Sequence, residues 1–173
     1  MRLLALIFVL TAFPAAADGL GLGPAPGVDT DKLVITLTNT AGDTLALWGR
    51  HSDKTGQYHV IAEFRLAGGQ NFGLVMPTYR IDGSKELETQ WMQDSGDRYG
   101  EKWGDVEAAR IWWMVWGAPE KVIAKGMVAH RWFTGNAIVI SYKSADGSIK
   151  AASFPLSGAR TALESTMGLK IED

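Results

Sequence analysis

The sequence contains no cysteine among its 173 residues. The chain therefore has no disulfide bond, no thiolate nucleophile and no cysteine-based zinc site. If such a chain is exported, packing alone must stabilise it, which is common in bacterial periplasms and rarer in eukaryotic secretion. The sequence also lacks an Asn-x-Ser/Thr glycosylation acceptor, which fits a bacterial source.

Excess charge and long apolar runs are scarce as well. The formal net charge is −2 and becomes −3 when Arg2 is removed with the N-terminal segment described below. Nucleic acid and anionic membranes bind concentrated basic surfaces, so neither is expected as a partner. The apolar stretch at 111–116 is only six residues long, whereas a membrane-spanning helix needs about 20. We therefore expect no membrane span in the mature protein.

Recognisable catalytic and cofactor motifs are missing too. The sequence has no Gly-x-Ser-x-Gly and no Ser-x-x-Lys nucleophile motif. Its three histidines, His51, His59 and His130, do not have the spacing of a His-Glu-x-x-His metal site. We expect no cofactor.

The N-terminus has the layout of a secretory signal peptide. Arg2 supplies a positive charge, Leu3 to Phe13 is almost entirely apolar, and Ala15 to Ala17 offers a small-residue cleavage site before Asp18. The apolar run is too short to serve as a membrane anchor. The pattern predicts cleavage after residue 17 and a periplasmic or secreted location.

The mature chain divides into a short leader and one domain. Residues 18–31 are rich in glycine and proline, which predicts a flexible leader. Residues 32–173 have the length of a single domain that can bury a proper core.

Alternating apolar residues predict strands through the first part of this domain. In residues 57–67 the alternation places His59 and Glu63 together on the outer, solvated face. Asp82-Gly83 is typical of a hairpin turn, and the polar stretch 93–105 is interpreted as a long loop. The predicted strands are 32–38, 44–50, 57–67, 71–76, 78–81 and 86–92.

The second part mixes strands and helices. Residues 106–117 are apolar on both faces, so a strand buried on both sides is favoured over a short helix without excluding it. Helical spacing predicts a helix over 119–133 that ends near Gly135. A hairpin is expected over 137–154, followed by a helix capped by Ser157. The fold class is therefore mainly β: an antiparallel β-sandwich or half-barrel with one or two edge helices.

The segment 137–164 resembles the C-terminal end of the invasion-associated locus B family. In that family a strand, a glycine turn and a second strand lead into a Ser-Leu-x-Gly-Phe-type start of a closing helix; here the corresponding run is Pro-Leu-Ser-Gly-Ala at 155–159. The likeness covers about 122–164 and departs from the family in having Ala159 after the glycine and no cysteine pairs. It implies an exported, mostly β protein without known catalytic residues.

Aromatic residues are the most distinctive feature of the composition. The chain has seven tryptophans, and many of its aromatic residues lie between 91 and 133. Tryptophan is large and carries an N–H, so it is often left partly exposed at binding surfaces. Tyr99 and Trp103, in a polar glycine-rich stretch, are the best candidates for ligand contact together with Trp91, whereas the 112–116 tryptophans are expected in the core.

Four acidic residues share this stretch: Asp94, Asp97, Glu101 and Asp105. Hard cations bind several carboxylate and carbonyl oxygens on a flexible backbone. The four acids are therefore weak candidates for a calcium site, although their spacing is not that of an EF-hand. The other interpretation is a solvated loop with its own salt bridges.

Two main functions follow. The first is a periplasmic or secreted, non-enzymatic binding or interaction module that contacts an envelope or extracellular sugar, peptide or protein through Trp91, Tyr99 and Trp103. The alternative is an envelope-associated hydrolase that uses two carboxylates, with candidates Glu63, Asp94, Asp97 and Glu101. A purely structural envelope component is a third possibility.

Overall fold

The computed structural model describes residues 20–22 and 34–173. The predicted signal peptide, residues 1–17, lies outside the described residues. In chain order the strands are β1 (Leu20–Leu22), β2 (Val34–Thr38), β3 (Thr44–His51), β4 (Tyr58–Arg65), β5 (Thr78–Ile81), β6 (Leu87–Glu88), β7 (Gly104–Val106), β8 (Ile111–Ala118), β9 (Val122–Ile123), β10 (Ala137–Lys143), β11 (Ile149–Pro155) and β12 (Lys170–Ile171). The helices are α1 (Gln90–Arg98), α2 (Val128–Thr134) and α3 (Ala159–Met167).

Two antiparallel sheets form the body of the molecule. One has six strands in the order β1-β2-β3-β4-β8-β7, and the other has four in the order β11-β10-β5-β6. Strands β9 and β12 form a short parallel pair. The fold is thus mainly β and sandwich-like, as predicted, and the described residues form three helices, where one or two were expected.

Aromatic rings join the two sheets. Phe64 of β4 contacts Tyr142 of β10 and Phe154 of β11, with ring centroids 5.2 and 5.7 Å apart. Tyr79 of β5 stacks on Trp113 of β8 at 6.2 Å. Edge-to-face and offset-stacked aromatic pairs stabilise a fold by more than the burial of their apolar surface alone. This main core therefore lies between the facing sheets and extends to buried residues of α2 and α3.

A second apolar cluster covers the opposite face of the six-stranded sheet. It contains Ala46, Trp48, Ile61, Met92 and Met114, with the partly buried Trp103 and Trp112 packed against it. Met92 comes from α1, so this helix and the segment after it form a third layer over β3, β4 and β8.

The two-sided burial of β8 confirms the prediction of a strand in this region. Trp113 and Val115 face the main core, whereas Met114 belongs to the second cluster. The pairing of β4 with β8 shifts register between Val60 and Ile61. Past this irregularity Trp116 also joins the main core, although simple alternation placed it on the other face.

Three other predictions are confirmed. Residues 137–143 and 149–155 pair as one antiparallel hairpin. The Asp82-Gly83 turn has positive φ angles of 49° and 68°, and Ser84 N donates to Ile81 O. Helix α3 buries the four residues expected on its inner side, namely Ala159, Ala162, Leu163 and Met167.

Several boundaries were wrong. The first part of the expected loop at 93–105, residues 93–98, belongs to helix α1, whose polar composition gives little helical signal beyond Met92. The expected strand at 86–92 is therefore cut to β6, and at 71–76 there is only a bridge between Phe72 and Ser144. Gly158, with φ 85°, precedes α3 at the cap position where Ser157 was expected.

The expected helix at 119–133 is broken into two elements. Val122 and Ile123 pair with β12 instead, and Gly126 adopts φ 88°, a left-handed conformation that interrupts a right-handed helix. Helix α2 begins only at Val128 but ends before Gly135, as expected. Of the expected flexible leader, residues 20–22 form strand β1 beside β2, and the remainder lies outside the described residues.

Replacing Phe154 by Ala tests the packing between the sheets. Phe154 is 0% exposed and contacts Phe64. Deleting such a ring leaves a cavity and typically costs about 3–5 kcal/mol. Urea unfolding should show this loss in the free energy of unfolding.

Ile149→Ala on the same strand is the control, since Ile149 is 83% exposed. It should change the free energy of unfolding by no more than about 0.5 kcal/mol. Equal losses in both variants would contradict the described core.

Candidate functional site

Close packing at Gly96 fixes the segment that follows α1. A Cβ on Gly96 would collide with the backbone oxygen of Glu101 and with Trp103 N, which it would approach to 2.7 Å. The chain then reverses through Gly100, whose φ is 64°. Glycine at these two positions lets residues 99–103, here called the 99–103 segment, lie directly against the end of the helix.

Tyr99 and Trp103 form a stacked pair within this segment. Their ring centroids are 5.0 Å apart and their planes differ by 25°. Trp103 is half-buried against the second cluster and meets the His59 ring edge-on at 6.0 Å. Tyr99 is 64% exposed. The pair is therefore anchored on one side and open to solvent on the other.

Trp91 is the third aromatic candidate and is 53% exposed. It lies in the first turn of α1 beside a small polar network in which Gln90 Nε2 donates to Gln93 Oε1 and Asp94 Oδ1, both at 3.0 Å. No ring contact joins Trp91 to Tyr99 among the described residues. Eight residues of helix separate the two rings by about 12 Å along the axis.

Glu101 is the polar centre of the segment. Its carboxylate accepts hydrogen bonds from Arg50 Nη2 at 3.0 Å, from Ser52 Oγ at 2.9 Å and from Trp103 Nε1 at 3.4 Å. Burial alone would raise the pKa of Glu101, but these hydrogen bonds and the charge of Arg50 outweigh it and hold the pKa below its usual value. Glu101 is therefore an ionised acceptor.

His59 lies beneath this group and is 0% exposed. It sits directly opposite Arg50 on β3 and Gly117 on β8. A Cβ on Gly117 would come within 2.6 Å of the imidazole Cδ2, so glycine is needed for the ring to fit. The prediction of a solvated face for His59 is wrong because Trp103 covers it.

Neither ring nitrogen of His59 has a hydrogen-bond partner among the described residues. Burial lowers the pKa of His59, with Arg50 also lowering it and Glu101 opposing both. The imidazole is therefore held neutral in a place where its polar atoms are unsatisfied.

Glu63, on the same face of β4, is 1% exposed and also contradicts the expected solvated face. Its carboxylate pairs with Arg65 at 2.7 Å and with Arg110 at 3.5 Å. A carboxylate held in this way acts as a structural ion pair. No hydrogen bond joins Glu63 to His59 in the described part of the chain.

The four acids proposed for calcium do not converge. Asp94 accepts from Gln90, Glu101 from Arg50 and Ser52, and Asp105 from Lys102 at 2.6 Å. No hydrogen bond or ion pair involving Asp97 links it to the other three among the described residues. Across residues 34–173 no group of three His, Asp or Glu side chains is placed to hold a metal ion.

The remaining histidines lie elsewhere. The His51 ring packs edge-to-face against Tyr58, with ring centroids 5.0 Å apart. His130 Nε2 contacts the carbonyl oxygen of Glu172 at 2.9 Å.

The sequence identified Glu101 and Trp103 as candidates but not their partners Arg50 and Ser52, because contacts between residues about 50 positions apart leave no local pattern.

A separate cavity of about 380 Å³ lies at the end of the four-stranded sheet. None of its lining residues belongs to the aromatic pair or to the group around Glu101. They are Ile81, Asp82, Ser84, Arg131, Thr134 and Gly135.

Comparison of the chain with protein-family models, curated proteins and solved structures found no match in any of the three. The resemblance to the invasion-associated locus B family therefore stays a prediction. Within the described residues, no helix is both long and apolar enough to cross a lipid bilayer.

The lowered pKa of His59 predicts a loss of stability on acidification. The unfolded chain takes up a proton below the ordinary histidine pKa of about 6.5, whereas folded His59 stays neutral to lower pH. The stability contribution is therefore complete above pH 6.5 and declines as the pH falls toward the folded pKa. One proton can give a slope of at most about 1.4 kcal/mol per pH unit.

Urea unfolding at several pH values between neutral and mildly acidic measures this slope. His59→Gln should flatten it relative to wild type, and the exposed Ile149→Ala, which removes no titratable group, should leave it unchanged. A wild-type slope retained in His59→Gln would assign the acid sensitivity to other groups.

Proposed function

We propose that the chain is an exported binding or interaction module, without enzymatic activity, whose ligand lies along α1 and contacts Trp91, Tyr99 and Trp103. The observation that carries the proposal is the exposed Tyr99 ring backed by the anchored Trp103. An aromatic face that is held rigid loses little conformational entropy when a ligand stacks on it.

The spacing of the exposed rings favours an elongated ligand. Trp91 and Tyr99 stand about 12 Å apart along the helix axis, and Asp94 and Asp97 are exposed between them. Aromatic faces together with carboxylates are suited to the apolar faces and hydroxyls of a sugar chain. An extended peptide has the same reach and is the second ligand class that we propose.

The N-terminal sequence supports the exported location. Arg2, the apolar run that follows it and the small residues before Asp18 have the order of a signal peptide. Together with the absence of cysteine, this makes the bacterial periplasm the first choice of compartment and secretion the second. The resemblance to the invasion-associated locus B family points in the same direction.

The hydrolase alternative is less well supported. It needs two carboxyl groups facing one cleft, whereas Glu63 and Glu101 are each held by arginine. The lowered pKa of Glu101 also makes it a poor proton donor near neutral pH. The neighbouring buried His59 is the one feature that favours acid–base chemistry in this region.

Tyr99→Ala tests the binding function. The ligand would be sought in a panel of linear tetrasaccharides and unstructured peptides, with tryptophan fluorescence as the measurement. Loss of one stacking contact of about 1 kcal/mol should weaken binding of a hit by about fivefold. The melting temperature should hardly change, because Tyr99 is largely exposed.

The control is Ile149→Ala, which removes an apolar side chain that is even more exposed and lies on the four-stranded sheet, away from α1. It should leave binding unchanged. Wild-type affinity in both Tyr99→Ala and Trp91→Ala would remove the aromatic surface as the contact site.

A further inference from the structure

We infer that the group around Glu101 is a binding site for a phosphate group, free or as an ester, and that the Glu101 carboxylate occupies it when no ligand is bound. This inference extends the proposed function, on which it rests for the place where a ligand approaches. The ligand that contacts Trp91, Tyr99 and Trp103 would then make a second contact, through a phosphate group, beneath the 99–103 segment.

The donors around Glu101 come from separate parts of the fold and converge on one point. Arg50 and Ser52 belong to β3 and the turn after it, while Trp103 precedes β7. Ser52 is nearly buried, and its hydroxyl is oriented because Thr55 N donates to it at 3.1 Å. Donors that a rigid sheet fixes in position form a preorganised anion site.

This site has more donors than the Glu101 carboxylate satisfies. Arg50 Nε is buried without a hydrogen-bond partner among the described residues, and so are both nitrogens of His59, one of which carries the N–H of the neutral ring. Arg50 and His59 are directly opposite each other on β3 and β4. Buried polar atoms without partners are rare in proteins and often mark the place of a missing ion or ligand.

The unsatisfied donors favour a tetrahedral anion over a planar one. Glu101 presents two oxygens, one to Arg50 Nη2 and the other to Ser52 and Trp103. A phosphate monoester presents three charged oxygens, so it can take these donors and also reach Arg50 Nε and a His59 N–H. Arginine binds such groups through two parallel hydrogen bonds.

Residues 100–102, which carry Glu101, can shift while Tyr99 and Trp103 on either side stay in place, so no sheet has to unfold. Apart from the Glu101 side-chain contacts and the bond from Glu101 N to the Gly96 oxygen, these residues are tied to the β3–β4 end by the hydrogen bonds from Lys54 Nζ to the Gly100 oxygen and from Arg50 Nη2 to the Lys102 oxygen. Both bonds are exposed, and exposed hydrogen bonds of this kind open readily. Trp103 is held more firmly, since Met114 N donates to its carbonyl oxygen at 2.6 Å.

Titration of isotopically labelled protein with inorganic phosphate, followed by NMR of the histidine ring nitrogens, tests the inference. In Glu101→Gln the His59 signals should shift in a saturable way. Wild type should bind about tenfold more weakly if Glu101 fills the site about nine-tenths of the time. A parallel titration uses glycerol 3-phosphate. If it binds more tightly than inorganic phosphate, the natural ligand is a phosphate ester, and if it binds more weakly, the ligand is free phosphate.

Two further variants separate displacement from a general effect of charge. Glu88→Gln removes an exposed acid that lies just before α1, outside both contact surfaces, and should leave phosphate affinity at the wild-type level. Adding Arg50→Gln to Glu101→Gln should abolish the saturable shift. A His59 signal that does not respond in Glu101→Gln, or that responds equally without Arg50, overturns the inference.

Wild-type protein decides the matter if Glu101→Gln does not fold. A saturable His59 shift in wild type, with only linear changes at His51 and His130, supports the phosphate site, and its absence overturns it. The result is distinguishable from failure of the proposed function, because Tyr99→Ala removes only the aromatic contact. Phosphate binding without aromatic binding, or the reverse, identifies which of the two proposals is wrong.

Discussion

The structure depends on burying both faces of its two central strands. Strands β4 and β8 carry large apolar residues on alternating sides, so one covering sheet is not sufficient. The four-stranded sheet covers one face, and α1 with the 99–103 segment covers the other. Apolar surface left in water would cost about 25 cal/mol per Å². The six-stranded sheet therefore needs α1 and the 99–103 segment to cover its second face. The candidate site lies in this cover because the 99–103 segment carries Tyr99 and Trp103.

This cover also determines the chemistry beneath it. It places His59 in the interior, and Glu63 on the same face of β4 is buried as well, although alternation alone assigns this face to solvent. Glu63 is compensated by two arginines, as a buried charge must be. His59 has no such compensation and remains neutral. The same face of β4 thus carries Glu63, whose polar atoms are satisfied, and His59, whose ring nitrogens have no partner in the part of the chain that the structure describes. Glu63 is therefore part of a structural ion pair, whereas His59 belongs to the candidate site.

The sequence was sufficient where a local pattern carries the information. Alternation located β3, β4 and β10, and helical spacing identified the inner face of α3. It failed where distant contacts decide the conformation. Helix α1 has one buried apolar side chain, Met92, and is stabilised by packing on a sheet far away in the chain. The pairing of Arg50 with Glu101 likewise joins segments about 50 residues apart, so only the acidic partner of this ion pair was predicted.

Trp103 lies between the exposed surface of the candidate site and the buried His59. Its ring touches Tyr99 on the solvent side and the His59 imidazole on the inner side. A molecule that binds outside and moves this ring also changes the proton affinity inside. Thermodynamic reciprocity then requires the protonation of His59 to change the affinity for that molecule by the same factor. A ligand of this kind and a proton on His59 would therefore influence each other through a single indole.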